Sequence, residues 1–354
     1  MPLASVLLCL ITGEIAVRVY HLLRFDISVI DGRPRHQSSN RFSSITLDDR
    51  LGWRATENYR FEGTKRSSDG AEYPVRVSQD ANGFRMFGDA FSGKPKIFVI
   101  GDSFTQAVDA SDDKTYYAVI KQSLDIEVFA YGAGGYGSLQ EYMIFDRYFD
   151  VIKPDLVLWQ YSTNDFVNNS PELEAASRIN NNGMVRPYLH NNQIQYVLPQ
   201  KHAKEIRLFS LRYCRLCYIT LSRLDKLRAA QSLHTVERET FAGGPSHSMF
   251  LHSLQVTDKI MEMVRRRAGS TPIVAFIVGT GFPCGPEYEE GLKEISSRHN
   301  IILLDGVERA VLTAEKAAAT VRAADGSHWN ELGHRIAGEA IVQALRSAGV
   351  LGSR

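Results

Sequence analysis

From Lys96 onward the chain repeats one pattern: a short, almost wholly apolar run stops at a glycine or small polar residue and gives way to a segment of helical periodicity. The apolar runs are KIFVIG (96–101), IEVFAYG (126–132), DLVLWQYS (155–162), TPIVAFIVG (271–279) and NIILLDG (300–306). The helical segments are KTYYAVIKQSL, SLQEYMIFDRYFDVI, Tyr288 to Arg298 and Glu331 to Ala348. Strands without polar alternation are buried on both faces, and strands that alternate with helices pair in parallel. The pattern predicts a parallel sheet between two helical layers, an α/β/α domain over residues 95–354.

Two segments break this rhythm. Residues 26–94 are polar and glycine-punctuated, with short extended stretches such as YPVRVS, and read as an irregular or β-rich accessory segment. Residues from about 166 to 250 form an insertion that begins Asn-rich, continues into the hairpin-like RPYLHNNQIQYVL and ends in a basic helical stretch. Loops at strand ends commonly carry binding specificity. Tyr188, Asn191, Asn192 and Tyr196 suit either a sugar-binding surface or a hairpin packed on the body.

In a doubly wound sheet, ligands sit beyond the carboxyl ends of the strands. Four strand-end or pre-helix segments carry chemistry there: Gly101-Asp102-Ser103, YGAGGYG (131–137), Ser162-Thr163-Asn164-Asp165 and DGSHWNELGH (325–334). Gly132, Gly134 and Gly137 satisfy the G-x-G-x-x-G dinucleotide fingerprint. That reading lacks its ribose-binding acid, since Asp155 precedes the next strand and Asp165 falls too late, and it leaves the other segments without a role. Ester chemistry uses all four. Ser103 is the candidate nucleophile, His328 the base that takes its proton, and Asp325 the acid that orients the imidazole. The backbone N–H of Ser103, a backbone N–H of the glycine loop and the amide of Asn164 are candidate oxyanion donors. Thr105 stands where a G-x-S-x-G nucleophile elbow would have its second glycine, against an α/β-hydrolase.

Gly101-Asp102-Ser103, the loop glycine, Thr163-Asn164-Asp165 and Asp325-x-x-His328 resemble the four sequence blocks of the SGNH hydrolases, the GDSL esterases and lipases. The resemblance implies a flavodoxin-like three-layer fold, catalytic Ser103, His328 and Asp325, and an oxyanion hole of Ser103, Gly135 and Asn164. LGWRATEN and ANGFRM look like the segment that precedes the catalytic block in membrane-anchored bacterial members, which implies an extracytoplasmic, periplasmic-face protein tied to surface polysaccharide. Trp329 follows the histidine where many members carry Pro or Leu, and Asn330 with Glu331 is placed to cap the last helix.

The leading function is a serine esterase removing an acyl group, acetyl above all, from a carbohydrate. A polysaccharide O-acyltransferase uses the same triad, and a non-catalytic carbohydrate-binding or assembly protein is a third class, opposed by the intact triad. A net charge of +1 provides no global field for nucleic acid. The chemistry requires no cofactor. No metal-binding cluster emerges, and His190, His202, His247 and His252 read as surface residues. Cys9, Cys214, Cys217 and Cys284 are too few and irregular for a disulfide framework, so the Cys214-x-x-Cys217 thiols read as small structural hydrophobes.

The N-terminal residues 1–25, apolar over 3–11 and again over 15–17, look like a membrane anchor through residues 3–23. They are short for a span and lack a signal peptide's basic start; Leu8 before Cys9 opposes lipidation. Arg18, Arg24, Arg33 and Arg35 follow the apolar run, which on charge alone places the body in the cytoplasm, opposite to the family resemblance. A buried N-terminal helix is the alternative.

Overall fold

The computed structural model describes residues 2–25, 43–177, 179–199, 209–210, 212–231, 235–279 and 286–350. In chain order the elements are α1 (Pro2–Phe25), β1 (Ile45–Asp48), β2 (Gly52–Ala55), β3 (Arg60–Arg66), β4 (Glu72–Ser78), β5 (Met86–Phe87), β6 (Lys96–Gly101), α2 (Ser103–Gln106), α3 (Tyr116–Ser123), β7 (Glu127–Gly132), α4 (Ser138–Ile152) and β8 (Leu156–Ser162). They continue with α5 (Thr163–Asn168), α6 (Pro171–Ala176), β9 (Arg186–His190), β10 (Gln193–Val197), α7 (Arg215–Gln231), α8 (Val236–Gly243), α9 (Ser248–Ala268), β11 (Ile273–Val278), α10 (Pro286–Arg298), β12 (Ile301–Leu303), α11 (Val307–Lys316) and α12 (Glu331–Ala348).

The central sheet runs β12-β11-β8-β6-β7-β5. Its five parallel strands, counted along the chain, lie in the order 2-1-3-4-5, the flavodoxin-like arrangement expected. Successive side chains go to opposite faces. Phe98, Ile100, Phe129, Val157, Trp159 and Ala275 pack in one core that includes α4 and α9, while Ile97, Val99, Val128, Leu158, Val274 and Phe276 pack in the other with α3 and α12. Burial on both sides explains why the runs show no alternation. The sequence pattern does not foreshadow β5, whose two residues pair antiparallel with β7 and add a strand of the N-terminal segment to the sheet.

Among the other described residues of that segment, β1 pairs antiparallel with β2 and β3 with β4. In the insertion, β9 and β10 form a hairpin through Asn191 and Asn192, both at positive φ, which asparagine tolerates better than most residues and which a tight hairpin turn needs. Tyr188 is buried and donates to Glu174 Oε2 at 2.8 Å, and Tyr196 donates to the Arg50 carbonyl at 2.8 Å. Packing on the body therefore occupies Tyr188, whereas Tyr196, Asn191 and Asn192 of the candidate sugar surface remain exposed.

The reading of Cys214 and Cys217 as buried thiols is corrected: they form a disulfide, with Cys217 exposed at the first turn of α7. A three-residue separation brings the two side chains together across one helical turn, a local bridge rather than a framework. Cys9 is an exposed free thiol, and Cys284 lies outside the described residues. His190 and His252 are exposed and His247 is half-buried; His202 lies outside the described residues, as do Arg33 and Arg35. Among the described residues no group of side chains could hold a metal ion.

Residues 2–25 form one helix, but no described helix is long and apolar enough to cross a membrane. Glu14 breaks its apolar run for a structural reason. Its carboxylate accepts the N–H groups of Arg215 and Leu216 at 2.9 and 2.8 Å, capping α7, and pairs with Arg18.

Candidate active site

Parallel strands that end side by side create a crevice at the point where strand order reverses, here between β6 and β8. Ser103 follows β6 and Asn164 follows β8, so the topology alone brings them to one place. Asp102 accepts the Phe104 N–H at 3.0 Å as N-cap of α2, leaving Ser103 at the first helical position with its side chain half-buried.

His328 Nε2 lies 2.7 Å from Ser103 Oγ, and His328 Nδ1 is hydrogen-bonded to Asp325 Oδ2. Asp325 Oδ1 accepts the N–H groups of Ser327 and His328 at 2.9 and 3.0 Å, so the turn is folded around its own carboxylate. Burial pushes the Asp325 pKa up, but the His328 hydrogen bond, the imidazolium charge and those two N–H groups outweigh it and hold the carboxyl well below its usual range. Burial pushes His328 down; the Asp325 hydrogen bond and the negative charges of Asp325, Asp102 and Asp109 outweigh it and raise the imidazole above 6.5. Such an imidazole is a good proton acceptor, with its second nitrogen and tautomer fixed by Asp325. The ring beside His328 is Phe104, 5.0 Å away, and fully buried Trp329, the residue that departs from the common family pattern, packs edge-on against Phe104 and so supports it from the core. Asn330 caps α12 by accepting the Gly333 N–H, as expected, whereas Glu331 instead accepts from Ser111.

Asn164 is buried, with Oδ1 accepting from Ser162 Oγ and Nδ2 donating to Asn168 Oδ1 at 3.2 Å. Its neighbour Asp165 accepts the Ser162 N–H at 2.8 Å and so has a capping role. Gly135 sits at φ +73°, and a Cβ there would come within 2.5 Å of Asn182 Oδ1. The loop is tied to the nucleophile's helix by the Gly134 N–H, which donates to Gln106 Oε1 at 2.8 Å. Gly132 lies beside Gly101 in register, and a Cβ there would come within 2.4 Å of the Asp102 carbonyl. Its glycine thus allows strand-end packing against the nucleophile turn, a protein contact in place of a pyrophosphate.

A family model for GDSL-like lipases and acylhydrolases matches residues 99–336. The chain belongs to that family. No curated protein matches it. Among solved structures it is similar to a member of the lipolytic G-D-S-L family from Veillonella parvula (12% identity, TM-score 0.41, 71% of this chain and 98% of that one). It is also similar to a lipase/acylhydrolase from Enterococcus faecalis (13%, TM-score 0.40, 72% and 96%) and to the family 3 carbohydrate esterase of Clostridium thermocellum (11%, TM-score 0.39, 72% and 96%).

In this SGNH hydrolase the N-terminal segment reaches three of the site's loops. Buried Arg85 donates to the carbonyl oxygens of Gln106, Ala107 and Ala110, closing the chain just after the nucleophile helix. Trp53 donates to the Gly134 carbonyl at 2.8 Å. Ser67 pairs with Ala323, the Ala324 N–H donates to the Arg66 carbonyl at 2.8 Å and Asn330 donates to Ser67 Oγ, which together fix the turn carrying Asp325 and His328. Trp53, Arg85, Gln106 and Asn168 belong to none of the four catalytic segments of the sequence. Two of them carry a visible signal: Gln106 stands three residues after Ser103 and Asn168 four after Asn164, spacings that share a helical face.

Proposed function

We propose that the protein is a serine esterase that removes a short acyl group, acetyl above all, from a carbohydrate through an acyl-enzyme on Ser103. The observation that carries the proposal is the continuous relay from Ser103 Oγ through His328 to Asp325. His328 takes the hydroxyl proton as Ser103 attacks the ester carbonyl, and the proton passes to the leaving sugar hydroxyl. Water, activated by the same imidazole, then releases the acid and regenerates Ser103. The N–H groups of Ser103 and Gly135 and the Asn164 amide are the donors assigned to the oxyanion.

A bulky carrier is supported by exposure: Asp325 is exposed and Ser103 and His328 are half-buried, so the relay lies at the surface. A cavity of about 660 Å³ adjoins the relay without containing it. Thr163 and Gly326 line it together with Ile277, Leu304, Val307 and Leu312 and with Lys293, Glu308 and Arg309, a mixed surface with room for an acyl group and a polar carrier. The polysaccharide connection rests on the likeness of LGWRATEN and ANGFRM to the membrane-anchored members. Attachment at a membrane is supported by α1, where Leu8, Ile11, Ile15, Val19 and Leu23 are exposed at helical spacing.

The test is acetate release from acetylated polysaccharide and from a chromogenic acetyl ester, with and without an unacetylated sugar acceptor. Release to water that vanishes in Ser103→Ala supports the esterase. Acetyl appearing on the added sugar instead makes the protein a transferase, and silence with every ester contradicts the proposal.

A further inference from the structure

The oxyanion donor assigned to Gly135 is a backbone N–H, and its direction depends on the peptide unit joining Gly134 to Gly135. That unit is trans, like every described peptide bond, so its C=O and N–H point opposite ways. Flanked by two glycines, it has little intrinsic resistance to rotation. A rotated unit presents an oxygen where the site needs a donor.

Two fully buried side chains oppose that rotation, one by holding the unit itself and the other by holding the peptide unit that follows it. Trp53 of β2 donates its indole N–H to the Gly134 oxygen at 2.8 Å, gripping the peptide from the side away from the Gly135 N–H. Arg186 of β9 donates to the next oxygen, that of Gly135, which Asn182 Nδ2 also approaches at 3.4 Å. Each anchor is held in turn. The Arg186 guanidinium lies 4.6 Å from the centre of the Trp53 ring and pairs with buried Glu174 at 3.1 Å; the Tyr136 hydroxyl donates to the Trp53 carbonyl at 2.9 Å. Gly52, next to Trp53, brings β2 against the insertion: a Cβ there would come within 2.2 Å of the Val185 oxygen. One anchor belongs to the N-terminal segment and the other to the insertion, so the loop is clamped by two parts of the chain outside the strand and helix repeat.

We infer that Trp53 and Arg186 are positioning residues that hold the Gly134–Gly135 peptide so that the Gly135 N–H faces the developing oxyanion. The inference rests on the Ser103 esterase reading. Residues 43–94 and the hairpin of β9 and β10 are then parts of the catalytic apparatus, and the hydrolase block without them lacks a set oxyanion loop.

Trp53→Phe keeps an aromatic ring and removes the indole donor. In the full chain, below the variant's melting transition, kcat is expected to fall about tenfold to a hundredfold with KM within about twofold, because a misdirected donor weakens the transition state and leaves substrate contacts intact. The acidic limb of the pH profile, set by His328, is expected to stay in place. Hydrogen exchange followed by mass spectrometry over residues 133–136, with no substrate present, is expected to be faster than in wild type. Wild-type kcat in the folded variant, or unchanged exchange in that loop, overturns the inference. Absence of Ser103-dependent turnover in the wild-type protein overturns the esterase reading instead, and the substrate-free exchange measurement then decides whether Trp53 holds the peptide.

Discussion

Ser103 and His328, 225 residues apart in the chain, meet with Oγ and Nε2 2.7 Å apart. The contact joins the end of β6 to the turn before α12, and neither side chain fills the core. Ser103→Ala and His328→Ala are therefore each expected to lower kcat by at least about a thousandfold. Thermal denaturation checks that the loss is chemical: the melting temperature is expected to stay near that of wild type, and a large drop contradicts this separation of roles.

The acidic limb of the rate profile follows from the sign of the His328 shift. The imidazole accepts the serine proton only when neutral, and its neighbours raise its pKa above 6.5. A raised pKa keeps the ring protonated to higher pH, so kcat/KM is expected to climb with pH through an apparent pKa above 6.5. Asp325→Asn removes the carboxylate that raises the His328 pKa most and that anchors its tautomer. It is expected to move that limb to lower pH and to reduce the plateau by about a thousandfold or more. A limb below 6.5 in the wild-type protein, measured with an ester whose leaving group does not titrate there, contradicts the assignment.

Asn164 and Asn168 divide donor and positioning roles. Asn164→Ala deletes one oxyanion donor and is expected to cost roughly a hundredfold to a thousandfold in kcat. Asn168 accepts from the Asn164 amide at 3.2 Å and donates to the Asn180 carbonyl at 3.0 Å, so it positions the donor without being one, and Asn168→Ala is expected to cost less, about tenfold. Kinetics of the double variant check the order: if the two act through one amide, the combined loss equals that of Asn164→Ala alone.

Gly135→Ala places a methyl group at φ +73° and against Asn182. The backbone strain is worth about 1–3 kcal/mol, and the loop can relieve it only by moving the oxyanion donor. Activity is expected to fall more steeply than stability. Adding Asn182→Ala removes the steric contact and leaves the strained φ, so the double variant is expected to recover only part of the lost kcat; full recovery contradicts the backbone argument.

The parallel layers were legible because burial on both faces removes polar residues from the strands, as in KIFVIG and DLVLWQYS. The meeting of Ser103, His328 and Asp325 was legible because these residues interrupt apolar or helical runs with side chains that packing does not require. The supports were not. Trp53 in LGWRATEN reads as one more core aromatic, and a cation in a polar stretch, such as Arg85, reads as exposed until the carbonyl oxygens that hold it are seen. Cys214 and Cys217 misled for a related reason: a pair of thiols inside an apolar helical segment looks buried, whereas the disulfide lies at the helix end with Cys217 in solvent.

Covalent trapping tests Ser103 as the nucleophile without knowledge of the substrate. The full-length protein is treated with an alkyl fluorophosphonate and the adduct is located by peptide mass spectrometry. A single adduct is expected on Ser103, absent in Ser103→Ala and much slower to form in His328→Ala. An adduct on a different residue, or folded protein that resists the probe altogether, contradicts it.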